Sequence, residues 1–225
     1  MVKGLVQNMK TKRIDVKLFL TILILIIFES LLFFLTKPFI HSPNILNTKL
    51  DNAMPYISYF VYPYILWYIM LMVVPYFTYT KNKDSFYKYA TTYIISTIIS
   101  ALIFVVFPNG VIRPEIVDTS FSSKLVKILY TLDTPSINCL PSIHCLYAFL
   151  FLLSAIDTKD KTTVFYKIII CVLTIFIILA TMFIKQHVLL DAIVAFAISL
   201  LTWIIVDRFK LYEFFKKYIM EKIIL

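Results

Sequence analysis

Apolar residues along this chain arrive in long blocks. Neither the alternation of a half-buried strand nor the single stripe of a surface helix describes them. Six blocks approach the roughly 20 residues that a helix needs to cross a bilayer. They fall at about 17–36, 55–80, 89–107, 142–155, 164–184 and 188–206. Backbone groups in lipid must satisfy their own hydrogen bonds, so each block is predicted to be a helix. The expected fold class is an all-α integral membrane protein, a six-transmembrane-helix bundle forming one domain over 1–225. The first block is longer than the apolar core of a signal peptide, and "TKPFIHSP" after it offers no small-residue cleavage site; a retained anchor is expected.

Two further segments carry an amphipathic pattern. In 123–133, "SKLVKILYTLD", Leu125, Ile128, Leu129 and Leu132 share one face, which predicts an interfacial helix on the membrane surface. The C-terminal "RFKLYEFFKKYIMEKIIL" mixes bulky apolar and basic residues and is expected to lie along the opposite surface.

Composition agrees with the pattern: 60% of residues are hydrophobic and 16% charged. A soluble domain with this make-up would expose a large apolar surface. The formal charge of +9 is sorted by position. Lys3, Lys10, Lys12, Arg13 and Lys17 precede the first block, and Lys81, Lys83 and Lys88 lie between the second and third. Lys159, Lys161 and Lys167 lie between the fourth and fifth, and Arg208, Lys210, Lys216, Lys217 and Lys222 close the chain. In a six-span arrangement, 16 of the 22 basic residues share one side. By the positive-inside rule both termini are expected in the cytoplasm, with the bilayer as the partner surface. No basic face on a soluble module is present, so nucleic acid is not an expected partner. The oligomeric state has no sequence signature. Cys139, Cys145 and Cys171 lack the pattern of a disulfide framework or metal site and are expected to be small packing residues.

Once the topology is set, the polar residues of the outer side stand out. Two crossings separate His144 from His187, which returns both imidazoles to the same face; Arg113 reaches that face from the third block. In "HVLLD", His187 and Asp191 are four apart, so on a helix the carboxylate can hold one ring nitrogen and leave the other as a nucleophile. Pro141 suits a first helical position, and the amides after it, with the Ser142 hydroxyl, would form an anion site. His144 in the same turn would donate a proton to a leaving oxygen. Arg113 and Lys185 offer positive charge for phosphate oxygens. The combination points to phosphoryl transfer through a phosphohistidine, with no metal or other cofactor. Glu29, in mid-span, is expected to be a hydrogen-bonded or protonated residue facing other helices, and His41 a solvated loop residue.

These residues resemble the type 2 phosphatidic acid phosphatase superfamily of membrane lipid phosphatases, which also includes vanadium haloperoxidases. The resemblance rests on "RP" at 113–114, "PSIH" at 141–144 and "HVLLD" at 187–191, in the family's order. It implies His187 as nucleophile, Asp191 as its orienting partner and His144 as proton donor. Arg113, Ser142 and backbone amides would hold the phosphate, without a metal cofactor. Val106, Ile143, Ala180 and Thr181 depart from the usual Lys, Gly, Ser and Arg, and Lys185 is the expected substitute for a missing cation. "TMFIKQHVLLD" and "MPYISYFVYPYILWY" look closer to the inositol phosphorylceramide synthase-like branch. The expected activity is therefore hydrolysis of a lipid phosphomonoester or pyrophosphate at the extracytoplasmic face of the cell membrane. The alternatives are transfer of the head group to an alcohol, and non-catalytic lipid binding or transport.

Overall fold

The computed structural model describes residues 2–39 and 42–218, so His41 and the last part of the C-terminal segment lie outside the described residues. In chain order the elements are α1 (Val2–Thr36), β1 (Asn44–Ile45), α2 (Lys49–Ala53), α3 (Val61–Lys81) and α4 (Lys83–Val106). There follow β2 (Asn109–Gly110), α5 (Phe121–Leu132), α6 (Ile143–Asp157), α7 (Val164–Phe183), α8 (Leu189–Arg208) and α9 (Tyr212–Phe215).

Five helices, α1, α3, α4, α7 and α8, are long and apolar enough to cross a membrane. Their outer faces are greasy: Ile27, Leu31, Ile69, Val73, Leu102, Ile193 and Leu201 are all more than half exposed. Helices that are apolar both inside and out belong in lipid. The chain is thus an all-α, multi-pass membrane protein.

The fourth block behaves differently from the other five. Helix α6 has 15 residues, a length of about 22 Å against a hydrocarbon core of about 30 Å. It does not touch lipid over most of its surface. Cys145, Leu146, Tyr147, Ala148, Leu150, Phe151 and Ala155 are all fully buried, enclosed by α3, α4, α7 and α8. A helix sheathed in protein need not match the bilayer, which is why a short apolar run suffices at the centre.

Boundaries shift where proline or polar aromatic residues mislead the pattern. Helix α3 starts at Val61, because residues 55–57 are extended and a single 3-10 turn, Ser58–Phe60, leads into it. Helix α4 starts at Lys83, six residues before the expected position, and buries Ser85, Phe86 and Tyr87 in that extra length. Helix α5 forms as expected but buries Ser122, Ser123 and Val126. Of its predicted apolar face, Leu125 and Leu129 pack inward on Val61, Tyr64 and Ile184, whereas Ile128 and Leu132 stay exposed.

Hydrogen bonds tie each end of the bundle. At one end Lys88 pairs with Asp157 at 3.1 Å, and Ser85 donates to the same carboxylate at 2.6 Å, joining α4 to α6. At the other end β1 and β2 pair in parallel, Asn44 with Asn109 and Ile45 with Gly110. Gly110 also bridges to Ile137. A Cβ at position 110 would lie 2.5 Å from the Ser136 carbonyl oxygen, so this close approach needs glycine.

Candidate functional site

The β-paired end gathers the chemically active side chains. His187 sits in the five-residue link between α7 and α8, just before the helix that was expected to carry it. The link turns sharply because Lys185 adopts a left-handed backbone, φ 58°, while the amides of Gln186 and His187 both donate to the Thr181 carbonyl at 2.9 and 3.1 Å. Asp191, fully buried in the first turn of α8, accepts from the Val188 amide at 3.0 Å and meets His187 Nδ1 at 3.2 Å with the same oxygen. The His–Asp pair thus arises from a helix N-terminal carboxylate reaching back, not from two side chains stacked on one helix. The Cys139 carbonyl lies 3.1 Å from the same ring nitrogen. Both neighbours of Nδ1 only accept hydrogen bonds, so Nδ1 carries the proton and the lone pair of a neutral ring sits on Nε2.

His144 occupies the first turn of α6. Pro141 is not the first helical residue: Ser142 is the N-cap, its hydroxyl accepting from the Cys145 amide at 3.3 Å. The Ser142 side chain is fully buried and its own amide donates to the Asp191 carbonyl at 3.3 Å, which fastens α6 to α8. The His144 ring lies between Tyr64, with centroids 4.2 Å apart, and Trp67, at 4.1 Å, with Tyr68 edge-on at 5.9 Å. These three belong to α3 at spacings of three and four, so one face of that helix forms the box. Each aromatic contact contributes about 0.5–1.5 kcal/mol beyond burial and fixes the ring plane. The centroids of His144 and His187 are 6.0 Å apart.

Both imidazoles line a cavity of about 350 Å³. Its walls include Tyr64, Trp67, Tyr68, Phe33, Leu129 and Ile143, with Glu29 and Ser30 in α1 and Asp133, Asn138 and Gln186 as the other polar groups. Phe34 and Leu132 on the same cavity are 58% and 71% exposed, so the cavity reaches the surface between α1 and α5. Glu29 faces inward, as expected, and accepts from Ser30 at 3.3 Å. Cys139 also lines it; burial pushes its thiol well above the ordinary value, so it remains neutral. All three cysteines are free thiols. Among the described residues no three His, Cys, Asp or Glu side chains are grouped to hold a metal ion.

None of the expected phosphate ligands, Arg113, Ser142 and Lys185, lines this cavity. Arg113 donates through Nη1 to the Asp133 carbonyl at 2.9 Å and through Nη2 to its carboxylate at 2.6 Å and to Gln186, and its guanidinium lies 4.8 Å from the Tyr130 ring centroid. Lys185 shares a small cleft with His187, but its ammonium donates to the carbonyls of Asp51 and Met54 at 2.7 and 2.6 Å. Burial lowers its pKa, against the opposing charge of Asp51. Sequence reading missed Asp133, Gln186, Lys37 and Asn109. Each is polar and half or more buried at this end, yet each meets partners so distant in sequence that no short motif marks it. The departures from the family motifs also have physical reasons. Thr181 is fully buried, its hydroxyl 3.5 Å from Cys145 Sγ, which leaves no room for an arginine there.

The chain matches the PAP2 superfamily over residues 25–205 and belongs to it. Membership supports phosphatase-type activity, as a phosphatase or a phosphotransferase. No curated protein and no solved structure matches the chain.

Proposed function

We propose that this membrane protein transfers the phosphoryl group of a lipid phosphomonoester or pyrophosphate to water through a histidine-bound intermediate. The carrying observation is the pair of imidazoles 6.0 Å apart on one cavity, one of them with Nε2 freed by Asp191 and the Cys139 carbonyl. In this reading the Nε2 lone pair of His187 attacks phosphorus and the bond to the lipid oxygen breaks. His144, which takes up a proton as the anionic head group enters, gives that proton to the departing oxygen. Neutral His144 then takes a proton from water, whose oxygen attacks phosphorus and breaks the P–N bond, restoring both rings. Asp191 holds the charged imidazole as it forms. Arg113 and the backbone amides at the start of α6 stabilise the phosphate, with Ser142 setting that helix end. Lys185 acts at the edge of the site, by positioning the link that carries His187.

The apolar, exposed side chains of Phe34 and Leu132 at the cavity edge fit a lipid whose tail stays in the bilayer while its head group enters. The charge distribution supports a site on the extracytoplasmic side of the cell membrane. A second reading, transfer to an alcohol as in the inositol phosphorylceramide synthase-like branch, draws on the aromatic and aliphatic walls around His144, which restrict water.

Purified protein assayed against a panel of lipid phosphates, with and without alcohol acceptors, tests the proposal. Release of free phosphate is expected, and His187→Ala is expected to lose at least about 10³-fold in kcat while remaining monodisperse. Full activity in that variant eliminates the nucleophile. Label found on the acceptor alcohol moves the assignment to the transferase. Lipid binding without turnover leaves a binding or transport protein.

A further inference from the structure

Asp133 stands between two cations. Lys37, just beyond the end of α1, approaches one carboxylate oxygen at 2.9 Å, and Arg113 approaches the other at 2.6 Å. The two basic side chains are only 13% and 9% exposed, against 31% for Asp133. Asp133, and neither basic residue, lines the cavity that holds His144 and His187. Lys37 is held further over the rings of Phe33 and Phe34, at 5.0 and 5.5 Å from their centroids.

One carboxylate facing two partly desolvated cations leaves an excess positive charge beside the reacting groups. A phosphate dianion, with more acceptor oxygens and twice the charge, satisfies such a pair more fully than a carboxylate does. We propose that Lys37 and Arg113 together form the phosphate-binding cation pair of this site, and that Asp133 is a resident counter-ion which an incoming phosphate displaces. The proposal rests on the phosphoryl-transfer reading. It gives the role of the cation absent at Val106 and Thr181 to the end of α1, a helix on which the sequence marked no phosphate ligand. Lys185, whose ammonium is already engaged by the Asp51 and Met54 carbonyls, is released from that role. Asp133 is suited to yielding its place, since it caps the C-terminus of α5, outside the long helices of the bundle.

The test measures inorganic phosphate binding to the full chain in detergent by 31P NMR titration, which needs no turnover. Lys37→Met is expected to weaken binding about tenfold, the loss of one charge-assisted hydrogen bond, and Lys37→Arg to retain it. Asp133→Asn is expected to tighten binding several-fold, because the competing carboxylate is gone while both cations remain. Wild-type affinity in Lys37→Met overturns the proposal, as does weaker or unchanged binding in Asp133→Asn, the result a mere structural brace would give. Absence of phosphate binding in the wild type overturns it as well. If Lys37→Met does not fold, Asp133→Asn and Lys37→Arg carry the test. A wild type that binds phosphate with the expected ranking but turns over no lipid phosphate sinks the reaction and leaves the binding site standing.

Discussion

The Cys139 carbonyl reaches His187 because Asn109 holds the peptide groups around it. Asn109 is fully buried, and its side-chain oxygen accepts from the amides of Cys139 and Leu140 at 2.8 and 2.7 Å. Its side-chain nitrogen donates to the Phe107 and Leu140 carbonyls at 2.7 and 3.2 Å. One side chain thus fixes the approach to α6 against the end of α4. Leaving a buried donor unpaired costs about 1–3 kcal/mol, so Asn109→Ala, which strands two, is expected to destabilise the protein by about 2–6 kcal/mol. Thermal unfolding in detergent checks this, and a loss below measurement error counts against it. Nothing in the sequence marks this residue, since the amides it accepts from lie 30 and 31 positions away. His187 and Asp191 were legible because their partnership is local, four residues apart. Lys37 and Asp133, 96 apart, are brought together only by the fold.

Helix α2 shows how a short element secures a longer one. Its Thr48 and Asp51 form a capping box, with the Asp51 carboxylate accepting from the Thr48 amide and hydroxyl. The other Asp51 oxygen accepts from the Leu189 amide at 2.9 Å, at the start of α8. Burial pushes the Asp51 carboxyl up, but hydrogen bonds from Thr48 and Leu189 and the charge of Lys185 outweigh it and hold the pKa below the ordinary value. A carboxyl with a depressed folded value stabilises the protein above its unfolded pKa, and that contribution is lost as pH falls through the range below about 4. Unfolding temperature is therefore expected to drop as pH falls below about 4, with a shallower slope in Asp51→Asn. Parallel slopes in the two proteins would remove Asp51 from the account. The long helices were readable from their apolar runs. Helix α2, five residues long, was not, because a single turn has no periodicity to detect and depends on tertiary partners.

The long helices carry two chemically different ends on the bundle. The end with α2, β1, β2 and α5 holds the imidazoles and the cavity. The opposite end holds Lys81, Lys83, Lys88, Lys159, Lys161 and Lys167 near the turns between helices. The expected six-span parity depends on counting α6, which at 15 residues is too short to be judged a span by length. Its apolar composition, ahead of the basic turn at Lys159 and Lys161, is what made it legible; its enclosure by other helices was not. Taken with the positive-inside rule, the imidazole end is expected to face away from the cytoplasm. Single cysteines test this in intact cells with an impermeant maleimide. Val117→Cys, at an 82% exposed position before α5, is expected to label from outside. Asp160→Cys, exposed in the turn between α6 and α7, is expected to label only after permeabilisation. Cys139 and Cys145 are buried and give little background, and Cys171 is replaced by Ser in both proteins. The reverse pattern would put the imidazole end in the cytoplasm, and labelling of both positions from outside would mean that α6 does not carry the chain across.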